Sequence, residues 1–108
     1  MSVDFKFIGW NNEGTSDKFW GYFFHDSDAN LDVYPRPCYV FWGRRGGALN
    51  FKKDYETGSL RDLVSKKKTK GYRWVDEKQL RTVWPNFEDQ MEQRLCFCIL
   101  ANKIMGAN

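Results

Sequence analysis

Segments rich in aromatic residues occupy the first half of the chain, ahead of any helical pattern. The first contains Phe5, Phe7 and Ile8, the second runs from Lys18 to His25, and the third from Cys38 to Trp42. Aromatic and β-branched side chains favour the pleated, half-buried surface of a sheet. A run of strands followed by helices is typical of an α+β fold, and the 108 residues suit one domain with one core.

Prolines and glycines separate these segments. Pro35 and Pro37 predict that the third strand begins only at Cys38, because a proline donates no hydrogen bond within a central strand. Gly43 to Gly47 predicts a turn, since three glycines and two arginines favour no regular element. We expect Ala48 to Phe51 to pair back as the second arm of a hairpin.

A helix with one apolar face is predicted after the strands. Ser59 is expected to be its N-cap, and Leu60, Leu63 and Val64 follow at helical spacing. A run of lysines comes next, and Gly71 is well placed to end the helix in the left-handed conformation.

The tail predicts a second helical unit. Asp76 to Arg81 is expected to form a short helix, and Pro85 to open a longer one, because proline fits the first helical position. An apolar stripe at helical spacing then comprises Phe87, Met91, Leu95 and Cys98. Beyond Leu95 the helix is apolar nearly all round, so it either crosses the back of the sheet or meets a second copy of itself.

Charge is distributed unevenly along the chain. The net charge is +3, yet Arg36 to Arg73 alone carries +8, with eleven Lys and Arg against three carboxylates, so the remainder carries −5. Such asymmetry indicates an anionic partner. The alternative is that the lysines are simply solvated, but here they are interleaved with aromatic residues and glycines.

The residue inventory gives little support to catalysis. His25 is the only histidine, so neither a His-based triad nor a His-rich metal site can be built. Cys96 and Cys98 lie on nearly opposite sides of a helix and Cys38 is distant, so we expect packing cysteines rather than a zinc site. Gly46-Gly47 lacks the Gly-Lys-Ser/Thr of a phosphate-binding loop. We therefore expect a protein that is not an enzyme and needs no metal or cofactor.

The odd number of cysteines, without framework spacing, favours a reducing compartment, cytoplasmic or nuclear. The N-terminus shows no secretory pattern, and the longest apolar run, Leu95 to Ala101, has seven residues, too few to cross a bilayer.

Three short motifs together resemble the WGR domain family. Trp42-Gly43-Arg44, with Gly46 two residues later, is similar to the motif that names the family. Asp17-Lys18-Phe19-Trp20 is similar to its Asn-Lys-Phe-Tyr-like strand, and Lys70-Gly71-Tyr72 to the close of its helix. Asp17 departs from the family, which often has Asn there. The resemblance covers about residues 5–74.

The resemblance implies a fold and a site. WGR domains are small twisted antiparallel sheets with one packed helix, so we expect a WGR-like domain over 1–75 and an added C-terminal helix over 76–108. In DNA-dependent poly(ADP-ribose) polymerases the domain grips DNA near a strand break. There the Trp and Arg of the motif make the contact, which implies this role for Trp42 and Arg44. The basic, glycine and aromatic residues around them complete the candidate nucleic-acid-binding set, which adds Lys18, Gly43, Arg45, Lys66, Lys67, Lys68, Lys70 and Tyr72.

Structural alternatives exist for the two motif residues Trp42 and Arg44. Trp42 is either a stacking platform for a sugar or base, or a core residue at a strand end. Arg44 either grips a phosphate with its planar fork, or pairs with Asp17 or Asp54. Gly43 and Gly46, without Cβ atoms, would allow a phosphate backbone to approach closely.

Two functions therefore remain open. In the first, the chain is a nucleic-acid-binding module that contacts the DNA backbone or strand ends. In the second, it is a protein-interaction adaptor or a modulator of a nucleic-acid enzyme. The adaptor would use the apolar C-terminal helix, for a protein partner or a homodimer, or the acidic loop from Asp26 to Asp32, which either shields the basic site or mimics phosphates.

Overall fold

The structure is a computed structural model that describes residues 3–25 and 34–95. Five strands and three helices follow one another along the described chain. They are β1 (Val3–Asn11), β2 (Lys18–His25), β3 (Arg36–Arg44), β4 (Asn50–Glu56), α1 (Gly58–Thr69), β5 (Arg73–Trp74), α2 (Glu77–Val83) and α3, described over 87–95.

All five strands form one antiparallel sheet in the order β4-β3-β2-β1-β5. The first four strands are a simple meander, in which each strand pairs with the next along the chain. The short β5 returns after α1 and pairs with β1 through Gly9 and Trp10 only. This architecture confirms the predicted α+β class, with a small antiparallel sheet, a packed helix and C-terminal helices.

Both faces of the sheet carry buried side chains, and each face packs against different helices. The α1 face carries the side chains packed around α1, namely Phe7, Trp20, Tyr22, Phe24, Cys38, Val40, Leu60 and Tyr72. The C-terminal face packs on α2 and α3 through Ile8, Phe19, Phe23, Tyr39, Phe41, Leu49, Val75, Leu80, Trp84, Phe87, Met91 and Leu95. The predicted burial of Phe87, Met91 and Leu95 is confirmed.

An irregularity in β1 supplies aromatic rings to both faces. Phe5 pairs with Phe23 and Phe7 with Tyr22, so β1 has one residue more than β2 between these two pairs. Residues two apart in a regular strand share a face, whereas this bulge turns Phe5 and Phe7 to opposite faces. Phe5 then packs edge-on to Phe23, with ring centroids 5.4 Å apart.

The third strand begins earlier than its prolines predicted. Pro37 lies inside β3 and pairs with Tyr55 of β4. On the opposite side, the pairing of β3 with β2 ends at Tyr39. At Pro37 the strand therefore has a partner on one side only, and a proline is tolerated where no ladder hydrogen bond is required of it.

The hairpin arm after the glycine turn is also longer and later than expected. The prediction placed it at Ala48 to Phe51, but β4 runs over Asn50–Glu56. Charged residues make up most of the second half of β4, so no alternation of apolar and polar residues marked the strand. It is an edge strand, of which Phe51 and Tyr55 are the only large apolar residues.

The ends of α1 agree only in part with the sequence. Thr57, and not Ser59, is the N-cap, and its hydroxyl accepts a hydrogen bond from the Leu60 amide at 3.4 Å. The predicted C-terminal end is confirmed, because Gly71 follows Lys70 with a φ of 100°. Only glycine adopts that conformation at low cost.

The helices after β5 are shifted by a residue or two. Asp76 is the N-cap of α2, with its carboxylate 2.7 Å from the Gln79 amide. Pro85 was predicted to open α3, but it lies in the turn before that helix. The Asn86 carbonyl accepts the first helical hydrogen bond, from the Gln90 amide. The two-residue strand β5 was not predicted, because its pairing depends on the neighbouring β1.

Several predictions fall outside the described residues. These concern the acidic loop at 26–32 and the apolar end of the C-terminal helix with its two cysteines, at 96–101. The division of the chain at residue 75 also stays a prediction.

The N-cap assignment is testable by a matched pair of substitutions. Thr57→Ala is expected to lower the free energy of unfolding by about 1 kcal/mol, because the first turn of α1 loses its side-chain acceptor. Ser59→Ala, inside the first turn, is expected to leave stability unchanged or slightly raised, since alanine favours helices. Urea unfolding followed by tryptophan fluorescence measures both, and a larger loss for Ser59→Ala would contradict the assignment.

Candidate nucleic-acid interface

An open groove lies on the α1 face, at the end of the sheet where β2 begins and β3 ends. Its volume is about 530 Å³. Its lining comes from β2, β3, the following turn, β4 and the end of α1, and comprises Lys18, Phe19, Trp20, Trp42, Gly43, Arg44, Gly47, Ala48, Asn50, Lys67 and Tyr72.

Two tryptophans on adjacent strands form the aromatic part of the groove. Trp20 and Trp42 are direct partners in the pairing of β2 with β3, so their side chains stand side by side. Trp20 is buried, with 5% of its surface exposed, whereas Trp42 is 39% exposed. The groove therefore offers one fixed indole and, beside it, one that is accessible to a ligand.

Two cations lie opposite each other at the mouth of the groove. Lys18 pairs directly with Arg44 across β2 and β3, on the same face as the tryptophans. Like charges in directly opposed positions of a sheet are destabilising. Neither side chain forms an ion pair or hydrogen bond with the residues described, 3–25 and 34–95. No ion pair within the described residues therefore compensates these two charges.

A third cation, Lys67, reaches the groove from the last turns of α1. The helix ends with hydrogen bonds from the Tyr72 amide to the Lys67 carbonyl and from the Gly71 amide to the Lys68 carbonyl, 3.0 and 3.1 Å long. This pair of bonds is the Schellman motif, which brings the side chains at its two ends together. The Lys67 Nζ consequently lies 5.2 Å from the ring centroid of Tyr72 and 5.6 Å from that of Trp20.

The setting of Lys67 changes its acidity. Partial burial between the rings lowers the pKa of the Lys67 amine, and the neighbouring charges of Lys70 and Lys18 lower it further. An anion bound in the groove would offset both charges and favour the protonated amine.

The neighbouring anion Asp17 is directed away from the groove. Its carboxylate accepts hydrogen bonds from the Trp10 indole at 2.9 Å and from Arg45 Nε at 2.7 Å. Trp10 lies on the C-terminal face, stacked on Phe19. The Trp10 hydrogen bond lowers the pKa of Asp17 most, burial opposes this effect, and the hydrogen bond and charge of Arg45 and the charge of Arg44 lower the pKa further. Asp17 is therefore paired with Arg45 and is not among the residues that line the groove.

The two glycines of the turn have structural roles of their own. A Cβ on Gly43 would lie 2.6 Å from the Ala48 carbonyl oxygen and 3.4 Å from the Trp84 ring. Gly46 has open space around it but a φ of 77°, which a turn residue with a side chain adopts only with strain. Close packing and turn geometry thus account for both glycines without a ligand.

The structure brings together six of the ten residues suggested by the sequence. Those lining the groove are Lys18, Trp42, Gly43, Arg44, Lys67 and Tyr72. Tyr72 takes part as a wall, because it is 6% exposed and belongs to the core.

The remaining four lie elsewhere. Arg45 is bound to Asp17, and Lys68 Nζ lies over the Phe7 ring, 5.6 Å from its centroid. Lys66 and Lys70 are exposed on α1 and its C-cap. Lys70 still contributes its charge near the groove, as the lowered pKa of Lys67 indicates.

Sequence reasoning did not assign Trp20 and Asn50 to the site. Trp20 was visible in the strand motif after Asp17, and the hairpin register that sets it beside Trp42 was the missing information. Asn50, at the start of β4, is the pairing partner of Trp42 on the side of β3 away from β2. Its place in the groove therefore also follows from the strand register, which the sequence did not reveal.

Other chemically notable groups lie away from the groove. Cys38 is fully buried, and this burial, with Asp54 and Glu56 nearby, raises the pKa of its thiol to about 12. Within residues 3–25 and 34–95 no cluster of three His, Cys, Asp or Glu side chains is suited to a metal ion. Of the helices in the same ranges, none has the length and apolar character needed to span a membrane.

Comparison of the chain with family models, with curated proteins and with solved structures gave no significant match. The chain's own residues therefore carry the functional argument.

A substitution at Gly43 tests the packing behind the groove. Gly43→Ala is expected to lower the free energy of unfolding by about 1–3 kcal/mol, because the new methyl group must displace the Ala48 carbonyl. Gly58→Ala is the matched control, since a Cβ there meets nothing within 4 Å and φ is not positive. Thermal unfolding measures both, and equal stability of the two variants would refute the close contact.

The Asp17 ion pair predicts a pH-dependent contribution to stability. Asp17→Asn is expected to cost about 0.5–1 kcal/mol at neutral pH, a modest value because the carboxylate is partly exposed and screened by solvent. A carboxyl group whose pKa is lowered on folding stabilises the protein above its usual pKa. The difference from wild type should therefore shrink as the pH falls below 3.8, the usual value for Asp.

Urea unfolding across an acid pH series measures this difference. Asp62→Asn is the control, because Asp62 forms no ion pair with a residue of the described chain. A loss in Asp17→Asn that stays constant into strong acid would show that the charge is not its cause.

Proposed function

We propose that the protein is a non-catalytic nucleic-acid-binding module and that the groove on the α1 face contacts the nucleic-acid backbone. The observation that carries the proposal is the directly opposed pair Lys18 and Arg44, two like charges that form no ion pair within the described chain, while the charge of Asp17 acts on Arg44 from a longer distance. Such an arrangement is unfavourable in the free protein and becomes favourable when an anion bridges it.

The cations suit phosphate groups in different ways. Arg44 presents a planar fork of donors that matches two oxygens of one phosphate. Lys18 and Lys67 supply point charges on either side, and each phosphate neutralised by a cation releases counterions from the nucleic acid. Lys70 extends this positive field beyond the groove. Binding through these groups is independent of sequence and strongly dependent on salt.

The exposed indole of Trp42 suits the apolar part of a nucleotide. A base or sugar stacked on an aromatic side chain contributes about 1–3 kcal/mol and does so with any base. The buried Trp20 and Tyr72 hold the neighbouring wall in place. Cations next to an accessible aromatic surface are the combination that a nucleic-acid strand requires, with phosphates and rings alternating along it.

The resemblance to WGR domains supports the same proposal. The Trp and Arg of the motif, to which the family's role in gripping DNA is attributed, are here Trp42 and Arg44, and both line the groove. A DNA or other nucleic-acid partner would place the protein in the cytoplasm or nucleus. The alternative of an adaptor relied on segments outside the described residues and stays a prediction.

Binding to DNA is tested by fluorescence polarisation against blunt, nicked and single-stranded oligonucleotides at two salt concentrations. Arg44→Ala is expected to weaken binding about tenfold and to reduce the slope of log affinity against log salt by about one. Trp42→Ala is expected to weaken binding by a similar factor with the slope unchanged, because stacking releases no counterions.

Arg81→Ala is the matched control for charge. Arg81 lies on α2, behind the opposite face, in ion pairs with Glu77 and Glu88, so its loss changes the net charge equally but removes no cation from the groove. If Arg81→Ala reduced the salt slope as much as Arg44→Ala, the groove would not be the interface. Absence of binding to every DNA form at low salt would overturn the proposal.

A further inference from the structure

A second exposed tryptophan, Trp74, lies outside the groove on the edge strand β5. Of its surface 64% is exposed, compared with 39% for Trp42. Trp74 belongs to neither of the two hydrophobic clusters that bury the faces of the sheet. Packing in the core therefore does not explain why so large an aromatic side chain stands at this position.

The strand register places Trp74 in one row with the tryptophans of the groove. Trp74 pairs with Gly9, and Gly9 pairs with Trp20. Trp20 in turn pairs with Trp42. Directly paired residues of antiparallel strands have their side chains on the same face, so all four positions belong to the α1 face. The row therefore has an exposed indole on each side of the end of α1.

Lysines at the end of α1 lie over the two middle positions of this row. The Lys67 Nζ lies 5.6 Å from the ring centroid of Trp20. Gly9 has no side chain, and the Phe7 ring fills its place, 2.7 Å from where a Cβ on Gly9 would lie. The Lys68 Nζ lies 5.6 Å from the centroid of that ring. A cation thus stands over each buried ring between the two exposed indoles.

The end of α1 carries further positive charge. Residues 66–70 include four lysines, and none of the four forms an ion pair within the described residues. The carboxylate of Glu13 lies beside Gly71 and offsets part of this charge. Lys66 and Lys70 are fully accessible to a ligand at the helix end. The surface between the two indoles is therefore basic.

We propose that the protein binds a single strand of nucleic acid that runs from Trp42 in the groove, across the lysine end of α1, to a second stacking site at Trp74. The inference rests on the proposed function, since it extends the same interface beyond the groove. Phosphates of the strand would lie on the lysines, and bases would stack on the two exposed indoles. Lys68, which does not line the groove, acquires a ligand on this path.

The two indoles favour a single strand over a duplex. In a duplex each base is covered on both faces by its stacked neighbours, so it reaches an aromatic side chain on the protein only after unstacking, which costs energy. An unpaired base stacks on an indole without that cost. Two accessible indoles in one row double the difference, because a duplex would have to expose a base at each of them.

The spacing of the indoles sets the length of strand that is required. Trp42 on β3 and Trp74 on β5 are separated by three strand spacings, or about 14 Å at about 4.8 Å each. This distance corresponds to about four nucleotides at the rise of about 3.4 Å per nucleotide in a helical strand, and the path over the helix end is longer. A dinucleotide therefore contacts one indole only, whereas an oligomer of about 12 nucleotides reaches both.

Fluorescence polarisation with a labelled thymidine dinucleotide and with the long oligomer, at one low salt concentration, separates the two stacking sites. Trp74→Ala is expected to weaken binding of the long oligomer about tenfold and that of the dinucleotide by less than about twofold, because the cations of the groove hold the dinucleotide beside Trp42. Trp74→Phe keeps a ring for stacking and should recover most of the affinity for the long oligomer.

Tyr55→Ala is the matched control for the loss of an exposed ring. Tyr55 lies on the edge strand β4 and is 43% exposed. It pairs with Pro37, the neighbour of Cys38, whose side chain is on the α1 face, so Tyr55 is on the opposite face. Tyr55→Ala should bind both oligonucleotides as wild type does.

Lys68→Ala tests the path between the two indoles. We expect it to reduce the slope of log affinity against log salt by about 0.7 for the long oligomer, and to leave the slope for the dinucleotide unchanged, because Lys68 does not line the groove. Lys78→Ala, on α2 behind the opposite face, changes the net charge equally and should alter neither slope.

A relaxed circular duplex, which has neither ends nor unpaired bases, tests the preference for a single strand. At equal nucleotide concentration it is expected to displace the labelled long oligomer at least about tenfold less effectively than the unlabelled oligomer does. A uridine oligomer of the same length distinguishes RNA from DNA as the source of the strand. The Trp74→Ala effect is expected on whichever of the two binds more tightly.

Failures of the two proposals are distinguishable. If Arg44→Ala weakens binding but Trp74→Ala leaves the affinity for the long oligomer unchanged, or if the circular duplex competes as well as the single strand, this inference is wrong and the binding function stands. An equal loss of dinucleotide and long-oligomer binding in Trp74→Ala also overturns it, because Trp74 would then act through the groove. If wild type binds no nucleic acid at low salt, the proposed function fails and the inference fails with it.

Discussion

One helix cannot cover one face of this sheet, and the groove is the part left uncovered. The strands β1 to β3 have eight or nine residues, which corresponds to about 27–30 Å of length. A helix with its side chains is only about 10–12 Å wide. Two helices pack on the C-terminal face, but α1 packs alone on the other. The end of that face near Lys18 and Arg44 consequently remains open.

The end of α1 then determines what lines the open part. The left-handed Gly71 closes the helix with bonds from Gly71 and Tyr72 back to Lys68 and Lys67. These bonds turn the Tyr72 ring under the helix end and into the core, and they set the Lys67 amine above it. A feature that terminates a helix thus also positions a cation, so the local fold and the candidate site depend on the same few hydrogen bonds.

Local patterns in the sequence predicted the elements better than their limits. The helical spacing of Leu60 and Val64 and the C-terminal Gly71 placed α1 correctly, because those signals depend on nearby residues. Pro37 misled the prediction, since a proline's tolerance in a strand depends on which neighbours it has, and pairing is a property of the sheet. The bulge that separates Phe5 from Phe7 was unpredictable for the same reason.

In the candidate site, too, residues marked by local motifs were predicted, and residues placed by strand pairing or helix geometry were not. Lys18, Trp42 and Arg44 were identified from short motifs, and the structure brings them together. The lysine run was treated as one cluster, although helical geometry sends successive residues in different directions, and only Lys67 reaches the groove. Trp20 could be placed only once the register of β2 and β3 was known.

Strand alternation explains how the tripeptide Trp42-Gly43-Arg44 contributes both to the core and to the groove. Residues two apart in a strand share a face, so the indole of Trp42 and the cation of Arg44 both meet the groove, while Gly43 is turned to the opposite side. There the absence of a side chain lets the Trp84 ring, from the residue that follows α2, pack against the strand from behind. The next residue, Arg45, leaves the strand and is held by Asp17. The glycine therefore brings the C-terminal layer against the back of the groove, and the same close contact that stabilises the core fixes the backbone from which Trp42 and Arg44 project.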